Sequence, residues 1–79
     1  MSSTRIGIII PCYNEVETLD LTAEAVGEEL RELIDAGEIE IGSFVCFVDD
    51  GSRDGTWKKI ESWLTKGTLY RGVKLSRNV

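Results

Sequence analysis

Two short apolar runs, each followed at once by a polar loop, most constrain the fold of this chain. They are I-I-I-P-C-Y-N-E at residues 8–15 and F-V-D-D-G-S-R-D-G-T at residues 47–56. Continuous runs rich in β-branched and aromatic residues are typical of strands buried in a parallel sheet. Because parallel strands end at one edge, these loops would bring Glu15, Asp49 and Asp50 together at a crevice where open α/β sheets bind ligands.

The first half of the chain predicts a strand and then a helix. The strand is expected over residues 5–10, with Pro11 ending it. Asn14 followed by Glu17 has the form of a capping box and predicts a helix that starts there. Gly37 is the expected C-terminal stop. Apolar residues at helical spacing form one stripe: Leu19, Ala23, Val26, Leu30, Leu33 and Ile34.

The second half repeats the pattern. A strand is expected over residues 44–48, then a helix capped by Ser52 or Asp54 that ends near Gly67, then a third strand over residues 69–75. The order strand, helix, strand, helix, strand indicates two right-handed crossover units. The predicted fold class is therefore α/β, a partial Rossmann-like three-layer sandwich with three parallel strands and two to three helices.

Length, charge and cysteine content narrow the possible functions. With 79 residues the chain can form one small core. The net charge of −5 and the scattered placement of the basic residues argue against nucleic-acid binding. No histidine is present, so acid or base chemistry would fall to carboxylates. Cys12 and Cys46 lack metal-ligand spacing and predict two free thiols in a cytoplasmic chain, and no membrane span or signal peptide is apparent.

The second loop allows three interpretations besides ligand recognition. It could be an ordinary turn in which carboxylates accept backbone hydrogen bonds. It could also be a calcium loop, because Asp50, Ser52, Asp54, Gly55 and Glu61 fall at suitable positions, although such a loop follows a helix and not a strand. A phosphoacceptor receiver domain is a further alternative, but its acidic pair would be expected after the first strand.

The first loop suits a nucleobase. Pro11 would rigidify the exit from the strand, Tyr13 offers an aromatic face, and Glu15 offers a carboxylate. The plainer interpretation is that Tyr13 packs on its own loop and Glu15 favours the positive end of a helix.

Together the two loops and the end of the chain resemble the N-terminal part of an inverting family 2 glycosyltransferase with the GT-A fold. The residues that carry the resemblance are I-I-I-P-C-Y-N-E-V-E-T-L at 8–19, F-V-D-D-G-S-R-D-G-T at 47–56 and V-K-L-S-R-N-V at 73–79. The similarity is greatest to the polyprenyl-phosphate mannosyl- and glucosyltransferases, and it covers almost the whole chain from Arg5 onward.

The resemblance implies a nucleotide pocket lined by Pro11, Tyr13 and Glu15. Asp49 would bind the base with Asp50 close by, and Arg77 and Asn78 would begin another loop near the ligand. It implies a nucleoside diphosphate sugar as donor, and an acceptor such as a polyprenyl phosphate at the cytoplasmic face of a membrane.

In the family a divalent cation, Mg²⁺ or Mn²⁺, assists the reaction. The ligand motif for that cation and the catalytic carboxylate would lie beyond Val79, so no residue present is expected to be catalytic or to bind metal. We therefore expect residues 1–79 to be a truncated segment that is inactive alone.

One alternative and one further expectation stand beside that view. A stand-alone nucleotide-binding or interaction module without catalysis is the alternative to a truncated enzyme. An exposed apolar edge over residues 6–10 would also favour self-association, for example as a dimer.

Overall fold

A computed structural model describes residues 4–75 of the chain. Three strands and two helices alternate along it: β1 (Gly7–Cys12), α1 (Leu19–Asp35), β2 (Phe44–Asp49), α2 (Thr56–Leu64) and β3 (Tyr70–Lys74). The strands form one sheet in the order β1-β2-β3, and both neighbouring pairs are parallel. The prediction of an α/β chain with three parallel strands and two helices is confirmed.

Both helices pack on one face of the sheet. In β2, Val45 and Phe47 are fully buried beneath them, whereas on the other face Ile9 of β1 is 60% exposed and Val73 of β3 is 46% exposed. The described residues therefore form two layers of the predicted sandwich, one of helices and one of sheet. A single core joins these layers; its buried members include Leu19, Ala23, Leu30, Val45, Phe47, Ile60, Trp63 and Tyr70.

Strand β1 extends past its predicted end. Pro11 lies inside β1 and pairs in register with Val48, and the strand continues to Cys12. Since β1 is at an edge of the described sheet, a proline can be accommodated there without removing a hydrogen bond between central strands.

The predicted capping box is wrong. Helix α1 begins at Leu19, and the Glu15 carbonyl accepts hydrogen bonds from the backbone N–H groups of Thr18 (3.1 Å) and Leu19 (3.0 Å). The Asn14 side chain is used elsewhere, in a contact with the second loop. A local capping pattern has thus been overridden by a tertiary hydrogen bond, as can happen with short polar side chains.

The end of α1 agrees with the prediction. Gly37 has a positive φ of 75°. Its N–H donates to the Ile34 carbonyl, and the N–H of Glu38 donates to the Leu33 carbonyl. This pair of bonds is the Schellman arrangement, in which a glycine takes the left-handed position. Helix α2, by contrast, ends at Leu64 and so stops short of Gly67.

Two other predictions concern the outside of the molecule. Strand β1 lies at an edge of the described sheet, as expected, but self-association through it stays a prediction. Among residues 4–75, no helix has the length and apolar character that crossing a bilayer requires.

Candidate functional site

The loops that follow β1 and β2 meet at the carboxyl edge of the sheet. Three consecutive backbone N–H groups of the first loop donate to three different side chains of the second. Asn14 N–H donates to Ser52 Oγ (2.8 Å), Glu15 N–H to Thr56 Oγ1 (2.9 Å), and Val16 N–H to Asp54 Oδ2 (3.3 Å). The sequence predicted that these loops converge, and the contacts show how they are joined.

The connection is reciprocal, because the second loop also donates to the first. The N–H of Arg53 donates to Asn14 Oδ1 (2.8 Å), and the N–H of Asp50 donates to the Cys12 carbonyl (3.0 Å). Asn14 has a φ of 50°, a left-handed conformation that asparagine tolerates better than most residues. This conformation allows its side chain and its backbone N–H to bind the same loop.

A cleft opens beside this junction. Its volume is about 450 Å³, and Asn14, Glu15, Val16, Glu17, Thr18 and Asp54 line it. The Tyr13 side chain is 54% exposed on the same loop, and Glu15 is exposed as well. Of the residues predicted to line a nucleotide pocket, Tyr13 and Glu15 are therefore accessible here. Pro11 is exposed at the end of β1, one residue before the buried Cys12.

Asp49 is placed differently from Glu15. It is fully buried at the end of β2, in register with Cys12 of β1. Asp49 Oδ1 accepts the Ser52 N–H (3.1 Å), whereas Asp49 Oδ2 is buried without a hydrogen-bond partner among the described residues. A buried carboxylate oxygen without a donor costs free energy, so this atom calls for one. Asp50, next along the chain, is partly buried.

The electrostatics of this edge are dominated by carboxylates. Burial, followed by the nearby charges of Glu15 and Asp49, raises the pKa of the Cys12 thiol to about 11. The thiol is thus protonated at neutral pH and is a poor nucleophile. At the cleft, the hydrogen bond from the Thr56 side chain is the largest cause that lowers the pKa of Asp54 below its usual 3.8.

The second loop does not form a calcium loop. It follows strand β2 and not a helix, Glu61 lies within α2, and both carboxylate oxygens of Asp54 accept hydrogen bonds from the protein. Among residues 4–75, no group of three or more His, Cys, Asp or Glu side chains could hold a metal ion. The described residues therefore do not fit the divalent cation that the resemblance implies.

A second cavity of about 390 Å³ lies between the two helices, away from the loops, and Glu24, Glu28, Arg31, Trp63, Lys66 and Tyr70 line it. Its aromatic groups are already satisfied by the protein. The indole of Trp63 donates to Asp20 (2.7 Å), the hydroxyl of Tyr70 donates to the Ala23 carbonyl (3.2 Å), and the ammonium of Lys66 lies 4.1 Å from the centre of the Trp63 ring. The cleft beside the loops is the stronger candidate for a binding site.

The sequence reasoning missed one role and could not be checked on another. Ser52 and Asp54 were considered as caps or calcium ligands, and Thr56 was given no role, but the side chains of all three hold the first loop. Asp54 does also accept the N–H of Thr56 (2.9 Å) at the start of α2. Arg77 and Asn78 lie outside the described residues.

Comparison with known proteins shows which family the chain belongs to. The model of Glycosyl transferase family 2 matches residues 7–79, which include β1, β2, β3 and both loops. The chain belongs to glycosyl transferase family 2. The predicted family resemblance is thereby confirmed, while its finer assignment to the polyprenyl-phosphate branch stays a prediction.

A relative supports the same assignment. A protein of Bacillus subtilis (strain 168), described as the uncharacterized glycosyltransferase YkoT, is 38% identical to this chain over 78 residues. The match covers 99% of this chain but only 23% of the length of YkoT. The chain is therefore similar to a family 2 glycosyltransferase segment, and it spans about a quarter of that relative.

Proposed function

We propose that the carboxyl edge of this sheet holds the nucleoside part of a nucleoside diphosphate sugar, the donor of a glycosyltransferase. The observation that carries the proposal is Asp49 Oδ2, a buried acceptor without a donor at the edge where Tyr13 and Glu15 emerge. A ring N–H or a hydroxyl of a nucleoside could supply the missing donor. Tyr13, which follows the Cys12 that pairs in register with Asp49, offers an exposed face on which a base can stack.

The charge of the cleft favours the nucleoside over the diphosphate. Glu15, Glu17 and Asp54 line the cleft, and their negative charges oppose a phosphate group in the same space. Carboxylates are, however, good acceptors for sugar hydroxyls and ring N–H groups, as in other nucleotide-binding α/β folds. The diphosphate and the sugar would then be bound by parts of a longer protein such as YkoT.

The activity of the whole protein follows from family membership as part of this proposal. It would transfer a sugar from a nucleoside diphosphate donor to an acceptor, for which we suggest a polyprenyl phosphate at the cytoplasmic face of a membrane. None of the described residues is assigned a catalytic role, so residues 1–79 alone are expected to bind but not to transfer.

A titration followed by amide chemical shifts tests the proposal. Uridine, guanosine and their diphosphates would be added to the chain with and without Mg²⁺, with attention to the amides of Tyr13, Glu15 and Asp49. We expect saturable shifts at these amides with one nucleoside. We also expect that the matching diphosphate binds no more tightly than the nucleoside when Mg²⁺ is absent.

Two results would contradict the proposal. One is the absence of shifts at all three amides at millimolar ligand, and the other is a set of shifts confined to the cavity between the helices. Glu28→Gln, which changes that second cavity and leaves the loops untouched, is the matched control and should bind nucleosides as the unchanged chain does.

A further inference from the structure

The hydroxyl of Thr56 occupies the centre of the junction between the two loops. It accepts the N–H of Glu15 (2.9 Å) and donates to Asp54 Oδ1. Thr56 is fully buried and is the first residue of α2, so its side chain is fixed by the helix that carries it. The position of Glu15 in the cleft is thereby tied to the position of α2.

Asp54 completes this connection. Its Oδ1 also accepts the Thr56 N–H (2.9 Å), and its Oδ2 accepts the N–H of Val16 (3.3 Å). An ionised carboxylate can only accept, so the Thr56 hydroxyl must point its proton at Asp54 and offer a lone pair to Glu15. The direction of each hydrogen bond in this group is therefore determined by chemistry.

Ser52 holds Asn14, the residue before Glu15, in the same way. Its Oγ accepts the N–H of Asn14, and Asn14 Oδ1 accepts the N–H of Arg53 in return. Tyr13 and Glu15 flank Asn14 along the chain, so the orientation of both depends on these bonds. Ser52 also donates its own N–H to Asp49 Oδ1 (3.1 Å), which links the junction to the buried carboxylate.

We infer that Ser52, Asp54 and Thr56 preassemble the nucleoside site by holding the first loop against the second. Ser52 and Thr56 act as positioning residues that do not contact the ligand, whereas Asp54 also lines the cleft. This inference rests on the proposed function. A site held in its binding geometry before the ligand arrives avoids the free energy of ordering two loops on binding. Loss of a central hydrogen bond should thus weaken binding more than it weakens the core.

Thr56→Val is the direct test, because valine has nearly the shape of threonine but no hydroxyl. It leaves the Glu15 N–H and Asp54 Oδ1 without their shared partner, and we expect nucleoside affinity to fall about tenfold. Thr56→Ser keeps the hydroxyl and should retain most of the affinity. Ser52→Ala, which removes the half-buried hydroxyl that accepts the Asn14 N–H, should weaken binding in the same direction.

A core variant separates positioning from simple loss of stability. Ile60 is fully buried on the same helix, and Ile60→Val should lower the free energy of unfolding by about 0.5–1.5 kcal/mol without touching either loop. Nucleoside affinity should be unchanged in Ile60→Val. An equal loss of affinity in Ile60→Val and Thr56→Val would show that binding follows stability and would overturn the inference.

The remaining outcomes distinguish this inference from the function on which it rests. If the unchanged chain binds a nucleoside and both Thr56→Val and Ser52→Ala bind it equally well, the inference is overturned and the proposed function stands. If the unchanged chain binds no nucleoside, the proposed function fails and the inference fails with it. Weakened binding in Thr56→Val, restored in Thr56→Ser, supports both.

Discussion

At the scale of single residues, Asp20 joins the two helices. Asp20 Oδ1 accepts the indole N–H of Trp63 (2.7 Å), and Asp20 Oδ2 lies 3.1 Å from the ammonium of Lys59. The indole hydrogen bond is the largest cause that lowers the pKa of Asp20 below its usual 3.8, followed by the hydrogen bond from Lys59. A carboxylate with a lowered pKa stabilises the folded state at pH values above its unfolded-state pKa. That contribution is lost as the pH falls through its folded-state pKa.

Trp63→Phe should therefore lower the free energy of unfolding at neutral pH by about 1 kcal/mol, since it removes one hydrogen bond. The stability that remains should fall less steeply than in the unchanged chain as the pH drops below 3.8, because Asp20 has lost its main partner. Urea unfolding at about pH 6 and about pH 2.5 measures both effects. Equal pH dependence in the two proteins would contradict this role for Asp20.

Gly27 shows what a residue-by-residue pattern cannot reveal. It is buried in α1, and a Cβ atom there would lie 1.9 Å from the hydroxyl of Tyr70, which donates to the Ala23 carbonyl. Helix propensity alone would favour alanine over glycine at this position. The close approach of β3 to α1 decides otherwise, and nothing within α1 signals where Tyr70 will lie.

At the scale of elements, Gly37 ends α1 in a left-handed conformation, and apart from its chain neighbours no atom of residues 4–75 lies within 4 Å of where its Cβ would be. A substitution there tests backbone conformation alone. Gly37→Ala should lower the free energy of unfolding by about 1 kcal/mol. Gly37→Asn, the matched control, should lose less because asparagine tolerates this region. Thermal unfolding of the two variants measures the difference, and an alanine variant as stable as the original chain would exclude the proposed conformational cause.

Elements could be predicted from sequence where one physical signal dominates. The apolar runs predicted β1 and β2, the alternating segment at residues 69–75 predicted β3, and the stripe from Leu19 to Ile34 predicted α1, because burial of apolar surface sets these patterns. The start of α1 could not be predicted, because the Asn14 side chain can accept either a local N–H, as in a capping box, or the N–H of Arg53. In the structure it accepts the N–H of Arg53. Hydrogen bonds between distant loops leave no periodic trace in the sequence.

Only part of the candidate site could be predicted from the sequence. The convergence of the loops follows from parallel strands, and Tyr13 and Glu15 are accessible as expected. The complete burial of Asp49 was not foreseen, because an acidic residue at a strand end is usually exposed. Its N–H partner at Ser52 and its orphaned Oδ2 become visible only in three dimensions.

At the scale of the whole molecule, one face and two edges of the described sheet lack a covering layer. Parallel sheets are normally covered on both faces, and an uncovered edge strand can pair with another chain. Ile9 is 60% exposed on the β1 edge, which makes self-association through β1 our expectation for residues 1–79. In a protein as long as YkoT, other segments could occupy these surfaces.

Ile9→Lys should reduce this self-association, because a charged side chain on an edge strand opposes pairing. Leu21→Lys is the matched control, since Leu21 is 71% exposed on α1 and away from the sheet edge. Sedimentation velocity over a range of concentrations would measure the assembly. An unchanged chain that stays monomeric at its highest concentration, or a Leu21→Lys variant that dissociates as fully as Ile9→Lys, would contradict the expectation.

In the proposed function, Asp49 Oδ2 accepts a hydrogen bond from the nucleoside. Asp49→Asn can preserve the hydrogen bond from Ser52 and places an amide NH₂ where the orphaned oxygen stood. Replacing a buried oxygen that has no donor should leave the free energy of unfolding unchanged within about 0.5 kcal/mol, or raise it. Replacing an acceptor by a donor should at the same time weaken nucleoside binding by more than about tenfold.

Calorimetric titration of the unchanged chain and of Asp49→Asn with the preferred nucleoside, paired with urea unfolding of both, is the most direct measurement. We expect a variant that folds as stably as the original chain and has lost most of its nucleoside affinity. An Asp49→Asn variant that binds the nucleoside as tightly as the unchanged chain would contradict it.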